Sequence, residues 1–256
     1  MKIIVAIKQV PSRDSQLRVD AAGKWIQTSD LSFEINEPDA YALEAALQLK
    51  EKNGGEVVAL CAGPANASQT IREALAKGAD RAIHIENDSL SDLDTLAVSR
   101  LLAKAAEAEN PDLILTGLQS DDLGYGQTGV VMAELMGMPH ATLIMEVEKK
   151  DNTIRVKREL EDGWFQHVEL PLPAVLTIQS GISKLRYATL MGIKKAKTKE
   201  VKRLTAADVG VALQSTITID KVYAPVKTKR TQILEGSARE AAAKLVEKLK
   251  FEVRVL

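Results

Sequence analysis

The chain has 256 residues, of which 45% are hydrophobic and 27% charged, a length and composition that suit one large α/β domain with an appendage or two small domains. Its 34 basic and 35 acidic residues nearly cancel, which excludes a global field for nucleic acid or an anionic membrane and leaves electrostatic function to local patches. A single cysteine, Cys61, allows no internal disulfide or thiolate metal cage, and no apolar run is long enough for a signal peptide or a bilayer span, so we expect a cytoplasmic protein without direct membrane insertion.

In chain order, β-branched runs alternate with helical patterns. Residues 3–7 read as a strand buried on both faces. A strand near 32–35 leads into Asn36-Glu37-Pro38-Asp39, where Asp39 is placed to cap a helix. Ala42, Ala45, Ala46 and Leu49 carry that helix to a stop at Asn53-Gly54. The strand 56–60 precedes a helix bearing Ile71, Ala74 and Leu75, ended by Gly78. After the strand 81–85 comes a helix with Val98, Leu101, Leu102 and Ala105, headed by Ser91 and Asp94 at capping-box spacing. The strand 112–115 opens into a glycine-rich loop, and a fourth helix spans about 127–136. This alternation predicts a parallel sheet covered on both faces, with ligands bound beyond the carboxyl ends of its strands.

Near Met138 the pattern changes. Residues 141–148, 153–159 and 165–170 read as strands joined by turns at Asp151-Asn152 and Asp162-Gly163. Pro171 and Pro173 bracket the entry to a further strand, 174–178, and the whole reads as an antiparallel meander finishing the same domain. Residues 184–203 set Lys184, Arg186, Lys194, Lys195, Lys197, Lys199, Lys202 and Arg203 against one acid, Glu200. Residues 204–236 are polar and poorly periodic. A last helix starts at the capping box Ser237–Glu240 and puts Ala242, Leu245, Val246 and Leu249 on one face, which needs its own domain or a partner chain to pack on. The expected organisation is an α/β domain over 1–183, a basic partner-recognition loop over 184–203 and a C-terminal arm over 204–256.

Hydrolytic and metal constellations are missing from the pattern. His84, His140 and His167 are isolated, with His84 in a strand facing solvent or a satisfied polar neighbour. There is no Gly-x-Ser-x-Gly elbow, and Cys61 reads as a buried, inert thiol. The informative segment is 117–129, whose glycines let backbone approach a ligand. Unpaired amides at the following helix start favour an anion by about 0.3–1 kcal/mol. Phosphate is therefore expected beside Gly126, Gln127, Thr128 and Gly129, with the Thr128 hydroxyl as a further donor. Gly124, Gly126 and Gly129 spell Gly-x-Gly-x-x-Gly, but after the fourth strand rather than the first, so only the phosphate-cradle physics carries over. A glycine-rich loop without ligand is the plain alternative. In the basic segment Tyr187, Leu190, Met191 and Ile193 set apolar anchors beside Lys194 and Lys195, a pattern suited to an acidic protein surface more than to nucleic acid.

Taken together these segments resemble the electron transfer flavoprotein beta subunits. Residues 5–10 resemble that family's first strand, and Asn36-Glu37-Pro38-Asp39 with residues 42–46 its nucleotide loop and following helix. Ala62-Gly63-Pro64 and residues 74–81 fit its middle, 117–129 its AMP-binding loop, and 172–177 followed by 186–197 its signature. The likeness covers about residues 1–205, and the tail is similar only in length and in its final helix. It implies an adenine-nucleotide-hydrolase-like, Rossmann-like α/β fold and a heterodimer with an alpha subunit that holds most of the FAD on a mobile domain and is embraced by the C-terminal arm. It implies no catalytic residues in this chain, a structural AMP, and electron transfer from acyl-CoA or other flavin dehydrogenases to a quinone oxidoreductase or other acceptor. By position, the AMP contacts would be Ala6, Asn36, Glu37, Pro38, Asp39 and Ala62, then Gly117, Gln119, Ser120, Asp121, Asp122, Gly124, Tyr125, Gly126, Gln127 and Thr128. Leu190 would be the docking anchor, beside Tyr187, Met191, Ile193, Lys194 and Lys195.

Two departures bear on this. Leu118 stands where relatives with a second FAD and bifurcating chemistry carry arginine, which favours AMP and keeps the second FAD as an alternative. Lys184-Leu185-Arg186 stands where many relatives have proline before the arginine. The rivals from other classes are a freestanding adenine-nucleotide-binding module and a nucleotide hydrolase, for which Asp121 and Asp122 are the loop's candidate acids.

Overall fold

The β-branched run at the N-terminus forms β1 (Lys2–Ala6), in which Ile3, Ile4 and Val5 are fully buried. A strand with no polar face needs cover on both sides. The computed structural model, which describes residues 1–90, 93–226, 228–229 and 231–256, supplies that cover. Ile3 and Val5 enter a core shared with α1 (Glu37–Asn53) and α2 (Ser68–Lys77). Ile4 enters a second core with α3 (Thr95–Glu107) and α4 (Thr128–Met136).

The remaining strands are β2 (Gln9–Pro11), β3 (Phe33–Ile35), β4 (Glu56–Gly63), β5 (Arg81–Glu86), β6 (Leu113–Gly117), β7 (His140–Lys150), β8 (Thr153–Glu159), β9 (Phe165–Pro171), β10 (Ala174–Ile178) and β11 (Val201–Leu204). Among the described residues, nine strands make one sheet in the order β11-β5-β4-β1-β6-β10-β7-β8-β9, and β2 pairs with β3 apart from it. Pairing is parallel from β11 to β7 and antiparallel through β8 and β9. The Rossmann-like α/β fold with an antiparallel extension is therefore as expected.

Three local expectations need correction. The strand 174–178 does not close a meander; β10 inserts between β6 and β7, parallel to both. All five of its residues are buried, and a strand with two apolar faces belongs inside a covered sheet. Helix α1 begins at Glu37 with Asn36 as N-cap residue and proline in its first turn, so Asp39 does not cap it. Asp94 is itself the N-cap of α3, accepting from Ala97 N at 2.8 Å, rather than the third helical residue of a capping box; Ser91 lies outside the described residues.

The basic segment divides between two elements. Thr189 caps α5 (Leu190–Ala196), and the chain then returns to the sheet as β11 beside β5. After α6 (Ala206–Val209), Val211 and Leu213 pack on the second core. The chain divides into two units, Met1–Val222 and Tyr223–Leu256. In the second, Ser237 and Glu240 form the predicted capping box of α7 (Ala238–Lys248), which leaves Leu245 and Val246 exposed. Among the described residues no helix is long and apolar enough to cross a membrane.

Candidate functional site

From β1 the chain steps outward through β4 to β5, then returns to place β6 on the other side of β1. Connections leave β1 and β6 in opposite directions, which opens a crevice beyond their carboxyl ends. A cavity of about 690 Å³ occupies that place, within the roughly 300–1,000 Å³ usual for ligand pockets. Its walls are the chain after β1, the chain after β4, the glycine-rich loop after β6, and the start of α3.

Asp39 holds the mouth together. Its carboxylate accepts Lys8 N at 2.8 Å and Gly117 N at 2.9 Å, tying the ends of β1 and β6. Burial pushes the carboxyl up to about 7, against the pull of those two amides. Gly117 is required by this contact. A methyl there would collide with Asp39 Oδ1 and lie 2.7 Å from both Asp39 N and Pro38 Cβ.

Asn36, also buried, fixes the loop. Its Nδ2 donates to Gln119 O at 2.9 Å and its Oδ1 accepts Asp121 N at 2.9 Å. Lys8 Nζ reaches Asp122 at 2.7 Å; burial opposes ionisation of Asp122, but the ammonium holds its carboxyl below the ordinary value. The loop then turns through Gly124 and Gly126 at positive φ of 66° and 62° into α4. That helix start has no side-chain cap, so its first-turn amides lack intrahelical partners beside the cavity. Gly129 lets the turn sit close, since a methyl would meet Thr177 Cγ2 at 2.7 Å. The combination of a pinned loop and an uncapped helix start can receive an anion such as phosphate.

Of the residues expected here, Ala6, Asn36, Asp39, Ala62, Gly117, Gln119, Ser120, Asp122, Tyr125, Gly126, Gln127 and Thr128 line the cavity. Glu37, Pro38, Asp121 and Gly124 do not line it. Glu37 pairs with Arg13, and Asp121 is held by Asn36. Missed were Lys8, Trp25, Ile26, Asp94 and Thr95, all on the wall. Lys8 carried a signal, a cation just after the first strand; the others carry none that is local. Cys61 is fully buried, and burial lifts its thiol to about 12. His84 is buried too, with Nε2 3.1 Å from Gly63 O.

The expected docking residues stand out on α5 and the chain before it. Tyr187 is 90% exposed, Leu190 82% and Met191 62%. Ile193, Lys194 and Lys195 are exposed as well. Beneath them Arg186 grips α1, with Nε 2.7 Å from Glu44 and Nη1 2.6 Å from Glu51.

The chain matches the family described as Electron transfer flavoprotein domain over residues 24–209. It is 38% identical over 257 residues to the electron transfer flavoprotein subunit beta of Methylophilus methylotrophus, covering 96% of this chain and 97% of the other. Against the mitochondrial electron transfer flavoprotein subunit beta of Arabidopsis thaliana it is 37% identical over 259 residues and 100% of both chains. Against the subunit beta of Bos taurus it is 37% identical over 249 residues, 94% of this chain and 97% of the other.

Proposed function

The chain belongs to the electron transfer flavoprotein family as a beta subunit, and from that premise we propose that its crevice holds AMP while the exposed face of α5 docks electron-donating dehydrogenases. A beta subunit serves electron transport as one half of a flavin-bearing heterodimer with an alpha subunit. In this reading FAD is shared with, and mainly held by, the alpha subunit, and the chain itself carries no catalytic residues. Its lone free thiol suits a reducing cytoplasm.

The observation that carries the AMP assignment is the uncapped start of α4 beside a cavity of about 690 Å³. When bound, AMP supplies a phosphate dianion, a ribose and an adenine that fill the crevice. Amides of Gln127, Thr128 and Gly129 would face the phosphate, and the Thr128 hydroxyl would add a donor. Asp39 and Asn36 work one step back, holding the strand ends and the loop in place. Nothing in this arrangement calls on Asp121 or Asp122 for hydrolysis. Asp122 is paired with Lys8, and the Asp121 carboxylate accepts Glu37 N at 3.4 Å and lies 3.9 Å from Arg13 Nη2.

For docking, a small apolar anchor in a charged rim favours fast association and release over tight binding. Leu190 and its neighbours meet that description, and acyl-CoA or other flavin dehydrogenases are the proposed donors. A quinone oxidoreductase or another acceptor takes the electrons onward.

The test is nucleotide content. The chain is co-expressed with its alpha partner, the complex is purified and denatured, and released nucleotides are quantified. One FAD and one AMP per heterodimer support the assignment. Two FADs without AMP would place a second flavin in the crevice. Neither nucleotide, or no complex, would favour a freestanding module.

A further inference from the structure

Two walls of the crevice belong to surface segments rather than to the sheet. One is a hairpin over 18–27, closed by Asp20 N to Trp25 O at 2.8 Å and Gln27 N to Arg18 O at 2.8 Å. It puts Asp20, Trp25 and Ile26 on the cavity. The other is the start of α3, with Leu93, Asp94 and Thr95.

Residues 215–222 grip both. At one end the Asp94 carboxylate accepts Thr216 N and Thr216 Oγ1, each at 2.6 Å, and Ile217 N at 3.2 Å. Asp94 N in turn donates to Ser215 Oγ at 3.1 Å. At the other end Lys24 Nζ donates to Asp220 O at 2.6 Å, and Val222 N donates to Gly23 O at 2.8 Å. Between Ile217 and Asp220 lie three peptide steps, at most about 11 Å of chain. The two walls cannot move apart by much unless one grip opens.

We propose that residues 215–222 are a strap that retains the nucleotide, so that exchange waits on release of the strap. This rests on the AMP reading above. Thr216 and Lys24 are positioning residues: neither lines the cavity, and each acts through a wall segment, Thr216 on Asp94 and Lys24 from within the hairpin that carries Trp25. Both are exposed, so Thr216→Val and Lys24→Met leave the cores intact.

The experiment loads purified heterodimer with radiolabelled AMP and chases with excess unlabelled AMP. Thr216→Val and Lys24→Met should bind the same amount at saturation yet release it about tenfold faster, the effect expected from losing a charge-assisted hydrogen bond. Backbone hydrogen exchange adds a readout that local damage would not give. In Thr216→Val the hairpin 18–27, gripped at the far end of the strap, should also exchange faster. Uptake with equal release rates in all three proteins overturns the strap and leaves the AMP reading standing. No uptake in any of them, after the co-purified nucleotide has been stripped and its removal checked, overturns the AMP reading and the strap with it.

Discussion

Asp39→Asn keeps the shape of a buried side chain while removing an acceptor and a titrating proton. Asp39 accepts two backbone amides, Lys8 N at 2.8 Å and Gly117 N at 2.9 Å. An asparagine offers one carbonyl and sets its own NH₂ against the other amide. A buried donor left without a partner costs about 1–3 kcal/mol. The second effect depends on pH. Burial raises the carboxyl from 3.8 to about 7, so the folded chain keeps a proton that the unfolded chain gives up. Asp39 therefore favours folding below that window, and the contribution is lost as pH rises through about 7, a full span of about 4 kcal/mol. Asparagine does not titrate. The deficit of the variant should then shrink by about 3 kcal/mol between about pH 5 and about pH 8, and can change sign. Thermal unfolding of both heterodimers across that range reads this as a convergence of melting temperatures by roughly 6–12 °C. A difference that stays constant refutes the reasoning, because Asp39 would then be ionised throughout, held so by its two amides.

Gly117→Ala should destabilise by about 1–3 kcal/mol, since its methyl meets backbone and Asp39 that cannot yield, and a urea midpoint equal to wild type would contradict this. Leu190→Ala should lower the efficiency of electron transfer from a dehydrogenase by about tenfold while heterodimer and nucleotide content stay intact; unchanged transfer kinetics would sink the docking assignment. Cys61, buried and with its thiol near 12, should resist a thiol reagent in folded protein and react fully once unfolded. Rapid labelling of the native chain would contradict the burial.

Much of the architecture was legible because it is written locally. Runs such as 3–7 and 113–115 have no polar face, and only a covered parallel sheet hides both sides. The same signal misled at 174–178, since periodicity reports burial and not which neighbours a strand takes; β10 lies beside β6, which it follows by nearly sixty residues. The loop 117–129 stood out through its glycine density. Asp39 was singled out for the wrong duty. Its type suits a cap, but its partners sit 31 and 78 positions away, beyond any local rule. The strap is the extreme case, joining Lys24 to Asp220 across 196 positions in a stretch with no periodicity.

The mounting of α5 has a consequence for how such a surface can change. The segment is held by Arg186 on α1 at its head and by β11 in the sheet at its tail. Between these, Gly192 lies so close to Ala76 O of α2 that no side chain fits. Tyr187, Leu190 and Met191 project from this bracket with most of their surface exposed. Substitution there alters what the face will meet without loosening the bracket, and a face already in shape asks no ordering of the chain when something lands on it. Inheritance could retune that face one residue at a time, with the fold beneath indifferent to the outcome.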